Sequence, residues 1–253
     1  MTMKDFFAEF LKKTSYPFLS PSPQSQGAPQ PPLEMPLPDD AALISLPAPE
    51  TFSIPPVDLR TIIEQRRTLR RYADTPLTLE ELSYLLWLTQ GVKRITARPA
   101  TLRTVPSAGA RHAFETFLLI NRVQGLRPGL YRFAASRHAL VHLSAPADIA
   151  ERIFTATHNQ EHVRLSAVTF LWVADTWRMA WRYVERSMRY LFLDAGHVCQ
   201  NLYLAAESIG CGVCAIAAFE DEAMNAALEL DGVDRFAIYL ATVGKKEADQ
   251  SSA

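Results

Sequence analysis

A chain of 253 residues, 48% hydrophobic and 21% charged, can bury one large core or two small ones and has an ordinary globular balance. Its 26 lysines and arginines face 27 acidic residues. That excludes whole-chain attraction to nucleic acid and leaves anion binding to local clusters. In chain order, Phe6, Phe7, Phe10 and Leu11 sit at helical spacing, which predicts a short docking helix over 4–13. Lys4, Asp5, Glu9, Lys12 and Lys13 interrupt any apolar run there, so a secretory signal is not expected. Twelve of the prolines fall between Pro17 and Pro56. Proline lacks the N–H and disfavours helix in its predecessor, so 20–56 reads as an extended arm.

The compact body is expected from residue 57 to 247, after a Pro-rich extension over 1–56 and before a disordered tail at 248–253. Asp58 is a candidate cap for a helix over 58–66. Thr78 and Glu81 form a capping-box pattern for a second helix that stops at Gly91. A loop with Pro99, Pro106 and Gly109 follows, then strands over 116–123, 129–133 and 139–143. Residues 147–163 read as helix and 167–175 as an apolar strand, too short to cross a membrane. The stripe Phe192, Ala195, Cys199, Leu202, Ala206 and Ile209 marks a long helix ended by Gly210. A helix over 220–230 and a strand over 235–243 complete an α+β fold. Three cysteines suit a reducing compartment, and a cytoplasmic location is expected.

Four stretches carry candidate chemistry. Arg66-Arg67-Thr68-Leu69-Arg70-Arg71 concentrates guanidinium forks that match phosphate oxygens, or forms a solvated basic face. Pro106-Ser107-Ala108-Gly109 offers small residues that let backbone approach a flat ligand, or is an ordinary loop. Cys211-Gly212-Val213-Cys214 is a Cys-x-x-Cys, a redox dithiol pattern, yet it follows a long helix rather than opening one; small buried cysteines are the alternative. His158 to His162 spells His-x-x-Glu-His, which on a helix would put two imidazoles one turn apart for zinc, with Glu161 as base. Dinucleotide-fold, P-loop and nucleophile-elbow motifs are absent from the sequence.

Taken in order, these blocks resemble the FMN-dependent nitroreductase superfamily. Gln65 to Tyr72, Pro76 to Leu82 and Leu85 to Gly91 are similar to its Arg-Arg-Ser-x-Arg-x-Phe motif and Leu-Leu-x-x-Ala-Gln-Gly helix. Pro106 to Ala110 resembles its Pro-Ser-Ala-Gly loop, and Asn159-Gln160 with Val163 its Gln-x-x-Val element, which makes the zinc pattern coincidental. Asp194-Ala195-Gly196-His197, the stretch from Leu204 to Phe219 and Val243-Gly244-Lys245 resemble its later blocks. The Pro-rich arm and the Ala-Gly-His helix are closest to the SagB-type dehydrogenase, or azoline oxidase, branch.

The resemblance implies a nitroreductase-like α+β fold, with a central, mixed but mostly antiparallel sheet flanked by helices, as an obligate homodimer with FMN at its interface. Arg66, Arg67, Thr68 and Arg70 would hold the phosphate and ribityl chain. Pro106, Ser107 and Ala108 would line the isoalloxazine from the partner subunit. Ile216, Ala217 and Ala218 would face the ring with a backbone N–H toward N5, and Lys245 or Lys246 would add charge at the phosphate. Arg182-Tyr183 stands where azoline oxidases carry a Lys-Tyr pair, and arginine cannot act as a base. No metal site, nucleic-acid partner or membrane partner is expected. Three functions follow: hydride transfer through flavin N5 in azoline dehydrogenation of a modified peptide, NAD(P)H-dependent reduction of a small nitroaromatic or quinone, or a flavin-binding scaffold subunit without turnover.

Overall fold

The computed structural model describes residues 1–38 and 41–247, so the tail at 248–253 lies outside the described residues. Helix α1 (Met3–Lys13) starts where Thr2 and Asp5 satisfy each other's backbone donors. Phe6, Phe7 and Leu11 stay exposed, and the helix is held at its other end. There Arg186 donates to the Thr14 carbonyl (2.8 Å), and Arg189 donates to the Thr14 hydroxyl (2.7 Å) and the Leu11 carbonyl (2.9 Å). Guanidiniums suit this end because its last carbonyls have no helical partner. The proline-rich segment then crosses the body. Gln24 donates to the Trp181 carbonyl at 2.9 Å, Glu34 accepts from the Ala135 and Ser136 amides, and β1 (Leu43–Ser45) joins a sheet edge.

Asp58 caps α2 (Leu59–Gln65) by accepting from the Thr61 amide at 2.9 Å, and the Thr78–Glu81 box opens α3 (Leu79–Gln90). The loop expected next contains a hairpin, β2 (Val92–Ile95) with β3 (Thr101–Arg103). Then come β4 (Phe114–Ile120), β5 (Gly129–Ala134) and β6 (Ala139–His142). The single helix expected over 147–163 is two, α4 (Ile149–Ala156) and α5 (His162–Leu165), because His158 and Asn159 take φ of 56° and 57°. β7 (Val168–Asp175), α6 (Thr176–Tyr183), α7 (Ser187–Ser208), β8 (Cys211–Ile216), α8 (Asp221–Ala227) and β9 (Arg235–Lys245) follow.

Among the described residues the main sheet runs β1-β6-β5-β4-β7-β9-β8, every pair antiparallel. Parallel pairing is confined to isolated bridges, Thr68 with Val213 and Leu77 with Val123. The middle strands are buried on both faces, so they read as continuous apolar runs. Leu118, Phe170 and Trp172 face one way, toward Leu82 and Leu85 of α3 and Leu191 and Leu202 of α7. Phe117, Leu119 and Leu171 face the other, toward Ile153 and Phe154 of α4 and Met224 of α8. The strand period of two thus divides one sheet between two helical layers. No helix among the described residues is long and apolar enough to cross a membrane.

Candidate functional site

The basic run ends α2 at Arg66 and continues as an irregular strand beside β8. Leu69 donates to the Val213 carbonyl (2.9 Å) and Ala73 to the Lys245 carbonyl (3.0 Å). Leu69 and Tyr72 turn inward against Gly212 and Gly244. A Cβ at 212 would lie 2.4 Å from Leu69 Cδ1, and one at 244 would lie 2.6 Å from Tyr72 Cγ. Tyr72 is pinned by donating to the Leu69 carbonyl (2.7 Å) and by contact with the Thr242 hydroxyl (2.8 Å). With those two side chains anchored, Thr68 and Arg70 are left exposed, and Arg66 and Arg67 partly so.

Tyr203 of α7 organises this group. Its hydroxyl accepts from the Ala215 amide at 3.0 Å and meets the Thr68 hydroxyl at 3.1 Å, while the Arg66 guanidinium lies 5.2 Å from its ring centre. The chain therefore brings Arg66 and Thr68 to the end of β8, where the expected ring-facing residues begin. Ile216 is buried in the core, so only its backbone can meet a ligand; Ala217 and Ala218 are exposed, and the Ala218 carbonyl accepts from Gln160 at 2.9 Å. The two lysines are engaged elsewhere. Lys245 pairs with Glu81 and donates to the Ile209 carbonyl at 3.3 Å, and Lys246 pairs with Glu207.

A second group forms around the Pro-Ser-Ala-Gly loop. Pro106 is exposed, and Ser107 and Ala108 are partly buried. Ser107 accepts from the His112 amide at 2.9 Å, and the Ala108 amide donates to Asp194 of α7 at 3.2 Å. Burial pushes the Asp194 carboxyl up, against the downward pull of its bonds to Ser107 and Ala108. Gly109 has φ of 56°, and a Cβ there would sit 2.4 Å from the Tyr183 hydroxyl. Tyr183 lies with its ring 4.6 Å from that of Tyr190 and with the Arg182 guanidinium 5.6 Å away. Its phenol is raised by burial, with Arg182 opposing. So the loop and the Arg182-Tyr183 pair do meet.

The two groups stand apart along α7. Asp194 and Tyr203 are nine positions apart on α7, which is roughly 13 Å along the axis and about half a turn round it. One group therefore sits on each face of the helix.

The other motifs dissolve in this geometry. The turn at His158 and Asn159 removes the helix that the zinc pattern needs, leaving His158 exposed and His162 buried. Cys211 and Cys214 stand on one strand, opposite Lys245 and Thr242. At that spacing their side chains point to opposite faces with Cα atoms about 10 Å apart, too far for a disulfide. Burial pushes the Cys211 thiol up to about 12. No motif in the sequence marks a role for Tyr203 or Asp194; α7 carries many other polar residues, and it is burial, full for Asp194 and partial for Tyr203, that gives these polar atoms a need for partners.

The sequence profile of the Nitroreductase family matches residues 63–245. The chain belongs to the nitroreductase family. It is 30% identical over 190 residues to the nitroreductase-like protein MJ1384 of Methanocaldococcus jannaschii, covering 75% of this chain and 92% of that one. It is 24% identical over 154 residues to the trifolitoxin-processing protein TfxB of Rhizobium leguminosarum bv. trifolii, covering 59% of this chain but only 41% of TfxB. Among solved structures, a nitroreductase-like protein of Anabaena variabilis superposes with a TM-score of 0.67 at 29% identity, over 83% of this chain and 42% of that one. Two further likenesses are of fold alone. A chain of the E. coli microcin synthetase McbBCD complex with truncated pro-MccB17 bound gives a TM-score of 0.60 at 16% identity, over 96% of this chain and 91% of that one. A Desulfovibrio desulfuricans protein in complex with FMN gives 0.52 at 18%, over 79% and 91%.

Proposed function

We propose that the chain is an FMN-dependent oxidoreductase acting as a homodimer. When bound, FMN supplies a two-electron carrier that takes and gives hydride at N5. The observation that carries the reading is the Thr68–Tyr203–Ala215 relay. It fixes a hydroxyl two residues from Arg66, which lies by the Tyr203 ring, and two from Arg70, which reaches Cys214; neither arginine takes part in an ion pair among the described residues. A hydroxyl flanked by guanidiniums fits a phosphate monoester, with Arg67 beside it, and the exposed backbone of Ala217 and Ala218 leads away from it toward a ring site. Lys245 and Lys246 are omitted from this phosphate grip, since Glu81 and Glu207 already hold them. Pro106, Ser107 and Ala108 face the other side of α7, so a second copy is needed to bring them over the ring. Fold likeness to an FMN complex supports the cofactor.

Two substrate readings each have an observation in their favour. Likeness to TfxB and to a chain of the McbBCD complex supports SagB-type dehydrogenation of an azoline in a modified peptide, with a cyclodehydratase partner. Tyr183 favours the opposite direction. Its phenol is raised by burial and so keeps its proton, which leaves Tyr183 able to give that proton to a substrate receiving hydride, with Arg182 as a fixed cation beside it. That suits NAD(P)H-dependent reduction of a quinone or nitroaromatic. The purified protein should carry a flavin band at about 450 nm; a colourless protein that refuses added FMN defeats the proposal. Anaerobic NADPH should bleach that band in the reductase reading and leave it in the peptide reading. Bound flavin that no donor bleaches indicates a scaffold subunit.

A further inference from the structure

Among the described residues no carboxylate forms an ion pair with Arg111. The residue is 4% exposed, with its guanidinium 5.0 Å from the centre of the Trp181 ring. Its Nε and Nη2 are buried and have no hydrogen-bond partner among the described residues. Those two nitrogens form the side-on edge of a guanidinium, the edge that grips both oxygens of a carboxylate. Contact with an aromatic face leaves that edge unused, because its N–H bonds lie in the guanidinium plane.

The neighbours deepen the imbalance. Burial lowers the Arg111 pKa most, followed by the like charges of Arg182, Arg178 and Arg98. Arg178 is already neutralised by Glu115 at 2.7 Å and Asp175 at 3.3 Å. Arg111 and Arg182 have no such carboxylate among the described residues. An unpaired buried cation costs several kcal/mol in general, so a fold that keeps one has a use for it. Exposure grades outward from buried Arg111 through partly buried Arg182 to exposed Arg98, a basic track leading in from solvent. Arg111 also lies two residues beyond Gly109, against which Tyr183 and Arg182 press.

The geometry points to a carboxylate-binding subsite formed by Arg111 and Arg182 beside Tyr183, so that the substrate is an organic acid. The anion would lie side-on against Nε and Nη2 of Arg111, with Arg182 as second cation. The substrate role rests on the proposed redox reading, whereas the binding site itself does not.

The test uses the purified 253-residue chain, loaded with FMN where it takes FMN, and compares benzoate with its neutral isostere benzamide by isothermal titration calorimetry. A charge-assisted fork should make benzoate bind at least about tenfold more tightly. Arg111→Gln should abolish the preference, and Arg182→Gln, at a less buried position, should reduce it. Equal binding of the two probes, no binding of either, or a preference that survives in correctly folded Arg111→Gln overturns the subsite. Heat of binding is read apart from the flavin spectrum. A colourless protein with intact benzoate selectivity defeats the redox reading alone, and a yellow protein without selectivity defeats the subsite alone.

Discussion

Replacing Tyr203 with phenylalanine tests the relay on which the phosphate reading stands. The substitution keeps the ring beside Arg66 and removes only the oxygen that accepts from Ala215 and meets Thr68. The Ala215 amide, on the outermost strand of the sheet, is left without its partner. A lost acceptor for a buried amide costs roughly 1–3 kcal/mol; Tyr203 and Ala215 are only partly buried, so water recovers part and about 1–2 kcal/mol is expected. The contact with exposed Thr68 adds little stability. It matters for the ligand, because it holds a donor in place before FMN arrives. Losing that orientation should weaken FMN by about 1 kcal/mol, or roughly fivefold. Urea unfolding of the apoprotein and fluorescence titration of FMN measure the two effects separately. Thr68→Ala should weaken FMN with almost no change in unfolding, whereas Tyr203→Phe should do both. Unchanged flavin affinity in both variants refutes the phosphate site; unchanged stability in Tyr203→Phe refutes the relay.

His112 should make the fold acid-sensitive. Burial, then Arg103, Arg111 and Arg178, depress it to about 3. The unfolded imidazole protonates near about 6.5 while the folded one stays neutral, so stability present above that pH is lost as pH falls toward 3, by up to ~1.4 kcal/mol per pH unit. His112→Asn should flatten the slope of unfolding free energy between those limits, although His138, His142 and His162 are shifted the same way and leave a remainder. Gly109→Ala forces a Cβ onto the Tyr183 hydroxyl in a left-handed backbone, which costs about 1–2 kcal/mol from the backbone alone. A lower melting temperature with impaired flavin turnover is expected, and wild-type behaviour in both would show that the loop and Tyr183 do not touch. Cys199 and Cys211, both pushed up to about 12 by burial, should resist an aromatic disulfide reagent in the native protein and react only on unfolding. Rapid native labelling would show that burial does not protect these two thiols.

Much of the fold was legible because its signals are local. The capping pairs at Asp58 and Thr78 sit where the sequence puts them, and the apolar stripe of α7 gives its length within a few residues. The misses share a cause, which is dependence on distant partners. β8 reads as a cysteine motif after a glycine turn, and becomes a strand only because β9 lies beside it. α6 is short, and its buried Arg178 looks like a solvent residue until Glu115 is placed against it. The break at His158 and Asn159 carries no glycine or proline, so helical periodicity runs through it unmarked. At the site, the order of the motifs indicated which segments gather. It could not indicate that Glu81 and Glu207 would claim the two lysines, or that α7 would hold the loop and the basic run on opposite faces.

The two proposals meet at Tyr183. Its proton is governed by burial and by the charges around it, with Arg182 and Arg111 favouring ionisation and Tyr190 and Asp194 opposing it. A carboxylate seated on Arg111 and Arg182 would cancel the two groups that help the phenol ionise. Tyr183 would then hold its proton more tightly with substrate present than without. A phenol that is protonated in both states then becomes a weaker acid, and the tyrosinate that a base mechanism needs becomes scarcer. A base would need the reverse. The same arrangement therefore counts against Tyr183 as the base of an azoline oxidase. The Tyr183 titration, followed by ultraviolet difference spectroscopy, should move upward when benzoate is added; a downward movement would place the anion away from these two arginines.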